Sequence, residues 1–583
     1  MKKIFLLVLI VVMFAGCTES FLDTAPLTSK TNTDFYKTPG DMDQALTAAY
    51  VTMVSVPDGS VLSSYPFAIS ELMSDERFGG GGDNDLDPRA ICDFKITGSD
   101  MYEGAWVRYY RGIFRCNMIL ENIDKPLWAS AAAKGNIEGQ ARFLRGMFYF
   151  DMARMWGEVP LVLATKQQNL PKAPAAELYA QIATDLKSAI EAFPSVPYGS
   201  SQYASLGRAN RWIAEALMAR VFLFYTGYYE ATDLPLVGGG TVTKDEVIAW
   251  LAECRDQSGY QLMPEFRNLW PYSYATTANS DSISYKFANT NNLSWYQESG
   301  VNAESMYSLK FSTFASWGTS IYYSNQMDLF FGWRAYTEGV VGNGWGMGTV
   351  NKNLWNAWPD GDIRKRGSIL DVRDEANEGY GKSYSLGTDL HDKQMDETGF
   401  WQKKYIPVNL CKTYASDGSK KGWHNYSVNL YGVTNDFQLD NMQDIVLIRF
   451  ADVLLMHSEL AGTADGMNRV RNRVGLAPIG YTLDALKAER RYELAFEGGR
   501  YYDLLRWAGK SNLASVQAIL ESKNGVATIN NGVAGVKKGV SFRPETGGFL
   551  QIPNKEIQLS NGILVQNTGW ETGTAPLYTF TSR

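Results

Sequence analysis

Through most of the N-terminal half, apolar side chains return every third or fourth position, and that period commits the chain to packed helices. Trp106, Tyr110, Ile113, Asn117 and Leu120 share one helical face. Leu144, Met147, Phe148 and Met155 do the same within Ala141–Trp156, which Gly157 and Pro160 stop. Asp41–Thr52, Leu178–Phe193 and Arg211–Tyr225 extend the series, the last with alanines where neighbouring helices pack closely. Consecutive helical hairpins suggest a tetratricopeptide-type array, although the full repeat consensus does not recur. The expected fold class is therefore mainly α, with tetratricopeptide-like hairpins, a long loop-rich insertion and C-terminal helices.

The insertion begins near position 230. Gly, Asn, Ser, Thr and aromatic residues dominate 230–440, helical periodicity fades, and short runs such as Met306–Phe311 read as strands. Helices are expected again over Asp444–Leu460 and Leu483–Glu497, the latter closed by Gly498 and Gly499. At the other end, Lys2 and Lys3 precede an apolar run from Ile4 to Phe14, too short to span a bilayer and right for a secretion signal. Phe14-Ala15-Gly16-Cys17 resembles a bacterial lipobox, so Cys17 is the expected site of lipidation. The expected division is 1–16 as a lipoprotein signal peptide, 17–40 as a lipidated tether, 41–229 as the N-terminal helical part, 230–440 as the aromatic insertion and 441–583 as the C-terminal helical part. Residues 41–583 are expected to form one compact body.

Charge and chemistry narrow the function. A net charge of −7 makes nucleic acid a poor partner. Cys92, Cys116, Cys254 and Cys411 form no paired or zinc-type spacing and read as buried hydrophobes. Only His391, His424 and His457 occur, with no metal-ligand spacing, so neither a metal nor a cofactor is expected. Asp83, Asp85 and Asp87 alternate like the start of a calcium loop. Pro88 and Phe94 stand where that loop needs Gly and Glu, so the segment reads as a solvated acidic loop. Neither Gly381-Lys382-Ser383 nor Gly509-Lys510-Ser511 has the earlier glycine of a phosphate cradle. Glu493 and Glu497, four apart, could be a catalytic carboxylate pair. Arg490, Arg491, Arg500 and Arg506 around them favour an ion-pair network, because such neighbours lower a carboxyl pKa where a general acid needs it raised.

Aromatic placement is the positive signal. Residues 270–345 hold 18 Trp, Tyr and Phe in 76 positions, against 13% overall. Loops normally lie at the surface. Most of these rings are expected to anchor the insertion, and an exposed minority to stack on a flat ligand such as a sugar. Flanking glycines single out Trp317, Trp333 and Trp345, followed by Tyr322, Tyr323 and Tyr336. Asp75, Arg77, Asn84, Asp100 and Tyr102 form a second candidate edge, while Trp106 reads as core.

Several stretches resemble the SusD/RagB family of Bacteroidetes outer-membrane lipoproteins. The most specific is Arg490–Trp507, with Glu493, Glu497, Gly498, Arg500, Tyr501, Asp503 and Arg506 in place. Gly499 departs from it where a His is common. Ile448–Met456, the Asn468-x-x-Arg471-x-Arg473 turn, Ile552-Pro553 and Gln566-Asn567 are similar too, as are Ala141–Gly146 and Trp156–Leu161. The resemblance implies four tetratricopeptide-like units and a non-catalytic surface lipoprotein in the outer membrane. It further implies a nutrient ligand, expected to be a glycan, and a SusC-like TonB-dependent barrel transporter as partner. The rival readings are a glycoside hydrolase, which would release reducing ends, and a tetratricopeptide scaffold for peptide or protein, with fewer exposed rings.

Overall fold

A computed structural model describes residues 35–55, 61–200, 207–279, 284–296, 302–318, 320–334, 340–341, 344–378, 394–413, 421–433, 436–536, 538–571 and 573–579. Its first half is a run of helices that pack on their sequence neighbours. Glu103–Asn122 lies against Ala131–Trp156, that helix against Ala175–Ala192, and this one against Arg211–Tyr228. Arg211–Tyr228 then meets both Lys244–Gln257 and the C-terminal helix Arg500–Ala508. The fold is mainly α, as the periodicity predicts.

Local chemistry sets the ends of these helices. Ala131–Trp156 starts well before the expected Ala141, because Ser130 Oγ accepts the Ala133 N–H and the alanine-rich segment after it continues the helix. It stops at Gly157, whose φ of +72° suits a residue without Cβ. A Cβ on Gly227 would sit 2.5 Å from the Arg506 carbonyl oxygen, so glycine there lets the N- and C-terminal halves approach backbone to backbone.

Two expected helices differ. Asp444–Leu460 divides into a strand, Ile445–Arg449, and a helix, Phe450–Ala461. The Ile-Val-Leu-Ile run carries β-branched residues, and Ser305–Leu309 offers an antiparallel partner, pairing Leu309 with Ile445 and Ser305 with Arg449. The helix from Leu483 ends at Glu493, and Phe496 takes a φ of +66° before the two glycines. Glu497 therefore lies beyond the helix that carries Glu493.

A main hydrophobic cluster runs from Met42 to Trp570 and takes in the helices, the insertion and the C-terminal segments. Most of the aromatics of 270–345 belong to it, Trp270, Trp295 and Phe330 at 1% exposure or less. Cys92, Cys116 and Cys254 are buried free thiols. No helix among the described residues is long and apolar enough to cross a membrane.

Candidate functional site

The insertion brings an exposed aromatic group to the surface. The 311–323 loop is closed at its base by the Ser312 N–H donating to the Tyr323 carbonyl at 2.9 Å. Inside it the Ser320 hydroxyl donates to the Phe314 carbonyl at 2.9 Å. Phe314 is 78% and Trp317 54% exposed, high values for rings of that size. The Trp317 indole N–H donates to Asp436 Oδ2 at 2.8 Å, which fixes the ring while leaving its faces open. Gly318 follows with φ +81°, and among the described residues nothing lies within 4 Å of the position a Cβ would take. The half-buried Tyr322 and Tyr323 rings meet at 4.9 Å.

Phe311, at the base of this loop, lines a small cavity with Met53, Val54 and Arg108 of the N-terminal half. Arg115 is held by the Ala48 carbonyl and the Thr52 hydroxyl, each at 2.7 Å, and the neighbouring Phe114 is 49% exposed. The loop offers flat apolar faces beside the Asp436 carboxylate and the Ser320 hydroxyl. That combination suits a ligand with apolar C–H faces and many hydroxyls.

The other expected site residues fall elsewhere. Trp333 is 4% exposed and belongs to the core, and Trp345 is half-buried against Phe330. Tyr336 lies outside the described residues, as does Cys17. Asp75 and Arg77 leave the candidate site because both are buried in ion pairs. Asp75 meets Arg491 at 3.0 Å and Arg500 at 2.8 Å, and Arg77 meets Glu71 while lying between the Phe331 and Phe496 rings. Burial would raise the Asp75 carboxyl, but Arg500 and Arg491 outweigh it and hold it low. Tyr102 is 2% exposed, and Asp100 accepts the Lys555 N–H at 2.7 Å. Asn84 is exposed on the acidic loop. That loop is built around the buried Arg89, which donates to the Gly82 and Asp83 carbonyls, rather than being freely solvated. The sequence reading missed Phe314, which has no flanking glycine, and Asp436, far along the chain from the tryptophan it holds.

Glu493 and Glu497 sit in the ion-pair network expected of them, with different arginines. Arg449 donates to Glu493 Oε1 at 2.9 Å and to Glu497 Oε2 at 2.7 Å, and Arg364 and Arg473 complete the shell of Glu493. Arg490 instead pairs with Asp452 and Asp503. Burial alone would raise the Glu493 carboxyl, yet Arg473, Arg449 and Arg364 hold it well below the usual range. A cavity of about 130 Å³ lies beside this network. Its carboxylates include Asp151, Glu497 and Asp503, each already paired with an arginine.

Two family models match the chain in sequence. One, described as "Starch-binding associating with outer membrane", covers residues 20–223, and the SusD family model covers 295–570. The chain belongs to the SusD/RagB family. Among its relatives, a SusD-like protein of Bacteroides ovatus is 25% identical over 87% of this chain and 82% of its own length. SusD-like protein P25 of Formosa agariphila is 22% identical over 84% of this chain and 86% of its own. In structure the chain is similar to a laminarin-binding SusD-like protein, with TM-score 0.67 and 23% identity over 92% of this chain and all of the other. It is also similar to surface glycan-binding protein A from Bacteroides thetaiotaomicron, solved with laminarihexaose. There the TM-score is 0.66 and the identity 21%, over 91% of this chain and 99% of the other. At those identities the structural likeness carries the SusD-like fold alone.

Proposed function

We propose that this SusD-family protein binds an oligosaccharide on the 311–323 loop, stacked on Trp317 and flanked by Phe314, Tyr322 and Tyr323. The observation that carries this is Trp317 itself, more than half exposed yet pinned through its N–H by Asp436. Holding an indole rigid with open faces suits a stacking anchor, because little conformational freedom is lost on binding. Asp436, beside the Trp317 ring, is a candidate partner for a sugar hydroxyl. The names of relatives that bind laminarin or laminarihexaose support a glucan as the first ligand to try. The wider role is that of a lipoprotein anchored to the outer membrane through Cys17, passing its ligand to a SusC-like TonB-dependent transporter. The family description and the signal-like segment from Met1 to Cys17 support it.

Calorimetry with laminarihexaose and a panel of other oligosaccharides tests the site. Trp317→Ala is expected to lose roughly tenfold or more in affinity, the factor about 1.4 kcal/mol represents, with an unchanged melting temperature. Unaltered binding by that variant would remove the loop from the site. Reducing ends released from the same glycans by pure protein would favour the hydrolase reading instead.

A further inference from the structure

Close in sequence to Asp436, the fold collects buried side-chain oxygens that lack a hydrogen-bond donor among the described residues. The short helix Gln326–Phe331 contributes Asp328, 0% exposed, and the segment after Asp436 contributes Asp440 and Gln443, at 1% and 3%. Asn325 ties the two segments together. Its Nδ2 donates to Asp328 Oδ1 at 3.2 Å and to the Gln443 carbonyl at 2.9 Å, and its N–H donates to the Asn441 carbonyl at 2.7 Å. Asn425 holds the far side through Asn441 Oδ1 at 2.9 Å. Asp328 Oδ2, Asp440 Oδ1 and Gln443 Oε1 nevertheless have no hydrogen-bond donor among the described residues.

The charge around them is one-sided. Burial and then the Asp440 charge push the Asp328 carboxyl well above its usual range. Burial, followed by Asp436, pushes Asp440 up to about 8. Among the described residues no Lys or Arg enters either balance. Elsewhere in this interior the buried Glu493 and Asp452 meet arginines. Among the described residues Asp328 meets the Asn325 amide, and Asp440 meets its own backbone N–H and that of Asn425, but neither meets a cation, and a buried carboxylate pair without one takes up a proton or a cation.

We infer that Asp328 and Asp440 hold a hard divalent cation of the calcium type, with Gln443 Oε1 among its neutral ligands. Two carboxylates balance two positive charges, and the donor set is oxygen throughout, which suits calcium and disfavours zinc or copper. No three His, Cys, Asp or Glu side chains converge among the described residues, so the shell relies on amide, carbonyl and water oxygens, as irregular calcium sites do. No sequence spacing announces such a site, because Asp328 and Asp440 stand in separate segments far apart along the chain.

The ion would also serve the aromatic loop. The Leu439 and Asp440 N–H groups both donate to the Asp436 carbonyl, at 2.8 and 2.9 Å, and Asp436 Oδ1 accepts the Gln438 N–H. Asp436 and Asp440 are thus the two ends of one tight turn. A cation on Asp440 anchors that turn, and through Asp436 Oδ2 it steadies Trp317. This second step rests on the glycan-site reading, whereas ion binding does not.

The test uses the whole mature chain, stripped with EDTA and dialysed. Adding 1 mM CaCl2 is expected to raise its melting temperature by about 5 °C or more, and elemental analysis to find one calcium per chain. Asp440→Asn is expected to abolish both effects. Should that variant fold poorly, calorimetric titration of stripped wild-type protein with CaCl2 decides alone. Equal melting with EDTA and with calcium, and no bound ion, would mean the pair shares protons only and overturn the site. An equal response to 1 mM MgCl2 would overturn its calcium character. A calcium effect on melting with no effect on glycan affinity would uphold the ion site and sever its link to Trp317.

Discussion

Arg449 meets three glutamates, Glu304, Glu493 and Glu497, while only 2% of its side chain is exposed. Lys404, fully buried, spends its ammonium on Glu497 at 2.6 Å. Removing Glu497 would leave Lys404 in the interior without its carboxylate, while Arg449 keeps Glu304 and Glu493, and breaking a buried pair costs about 3 to 5 kcal/mol. Glu497→Ala is therefore expected to lose that much stability in urea denaturation, with any loss of ligand binding following from unfolding. A variant of normal stability that no longer bound ligand would assign Glu497 to a site instead. Glu397 is the opposite case. It is fully buried, neither carboxylate oxygen has a partner among the described residues, and burial raises its pKa from 4.5 to about 7. The folded state thus keeps its proton to higher pH than the unfolded chain. Below about pH 4.5 both states are protonated and the group costs nothing. As pH rises from there through 7 the unfolded state is favoured, by roughly 3 kcal/mol once both have ionised. Glu397→Gln should match wild type near pH 4 and exceed it by about that amount at pH 8, measured as the difference between two denaturation series.

The elements owe their limits to a few polar contacts. Ser130 Oγ satisfies an N–H at the start of Ala131–Trp156, and Ser130→Ala should cost about 1 kcal/mol by chemical denaturation. A smaller loss would mean that packing against Ala175–Ala192 fixes the helix start. The 311–323 loop depends on backbone closure and on Asp436. Asp436→Ala should leave the global melting temperature within about 2 °C, because the two hydrogen bonds it removes, to Trp317 and Gln438, lie in a partly exposed turn. It should also weaken oligosaccharide binding several-fold by freeing the Trp317 ring. Normal affinity in Asp436→Ala would show that the indole is positioned by the loop alone. Element boundaries were least legible where period and β-branching compete. Ile445–Arg449 reads as the first turns of a helix until its strand partner Ser305–Leu309, far upstream in the chain, is known.

At the scale of the whole molecule, a main core joins the parts, and Lys523 and Trp156 illustrate how. Lys523 Nζ, fully buried, donates to the Ser74 carbonyl at 2.8 Å, and the Trp156 indole donates to the Gln551 carbonyl at 3.0 Å. Such contacts clamp the C-terminal segments onto the N-terminal helices, so unfolding is expected to be cooperative across the insertion. Cys17, the proposed site of lipidation, lies outside the described residues. Cys17→Ala should yield a protein with the same melting temperature that fractionates away from membranes. Continued membrane retention would refute the lipobox.

The sequence alone determined the helical class, the family and the ion-pair character of the Glu493 region. Periodicity and motif order are local properties that survive in one dimension, whereas Arg364, Arg449 and Arg473, which pair with Glu493, come from elsewhere in the chain. It also determined that aromatics would crowd 270–345. Which of them stay exposed was decided by tertiary structure. Trp317 and Trp333 both neighbour a glycine, yet one projects from a loop and the other faces the core. Likewise Asp75 and Asp100 read alike until Arg500 and Lys555 arrive from the opposite end of the sequence. Exposure and pairing depend on what the rest of the chain folds against a residue, and no local pattern contains that.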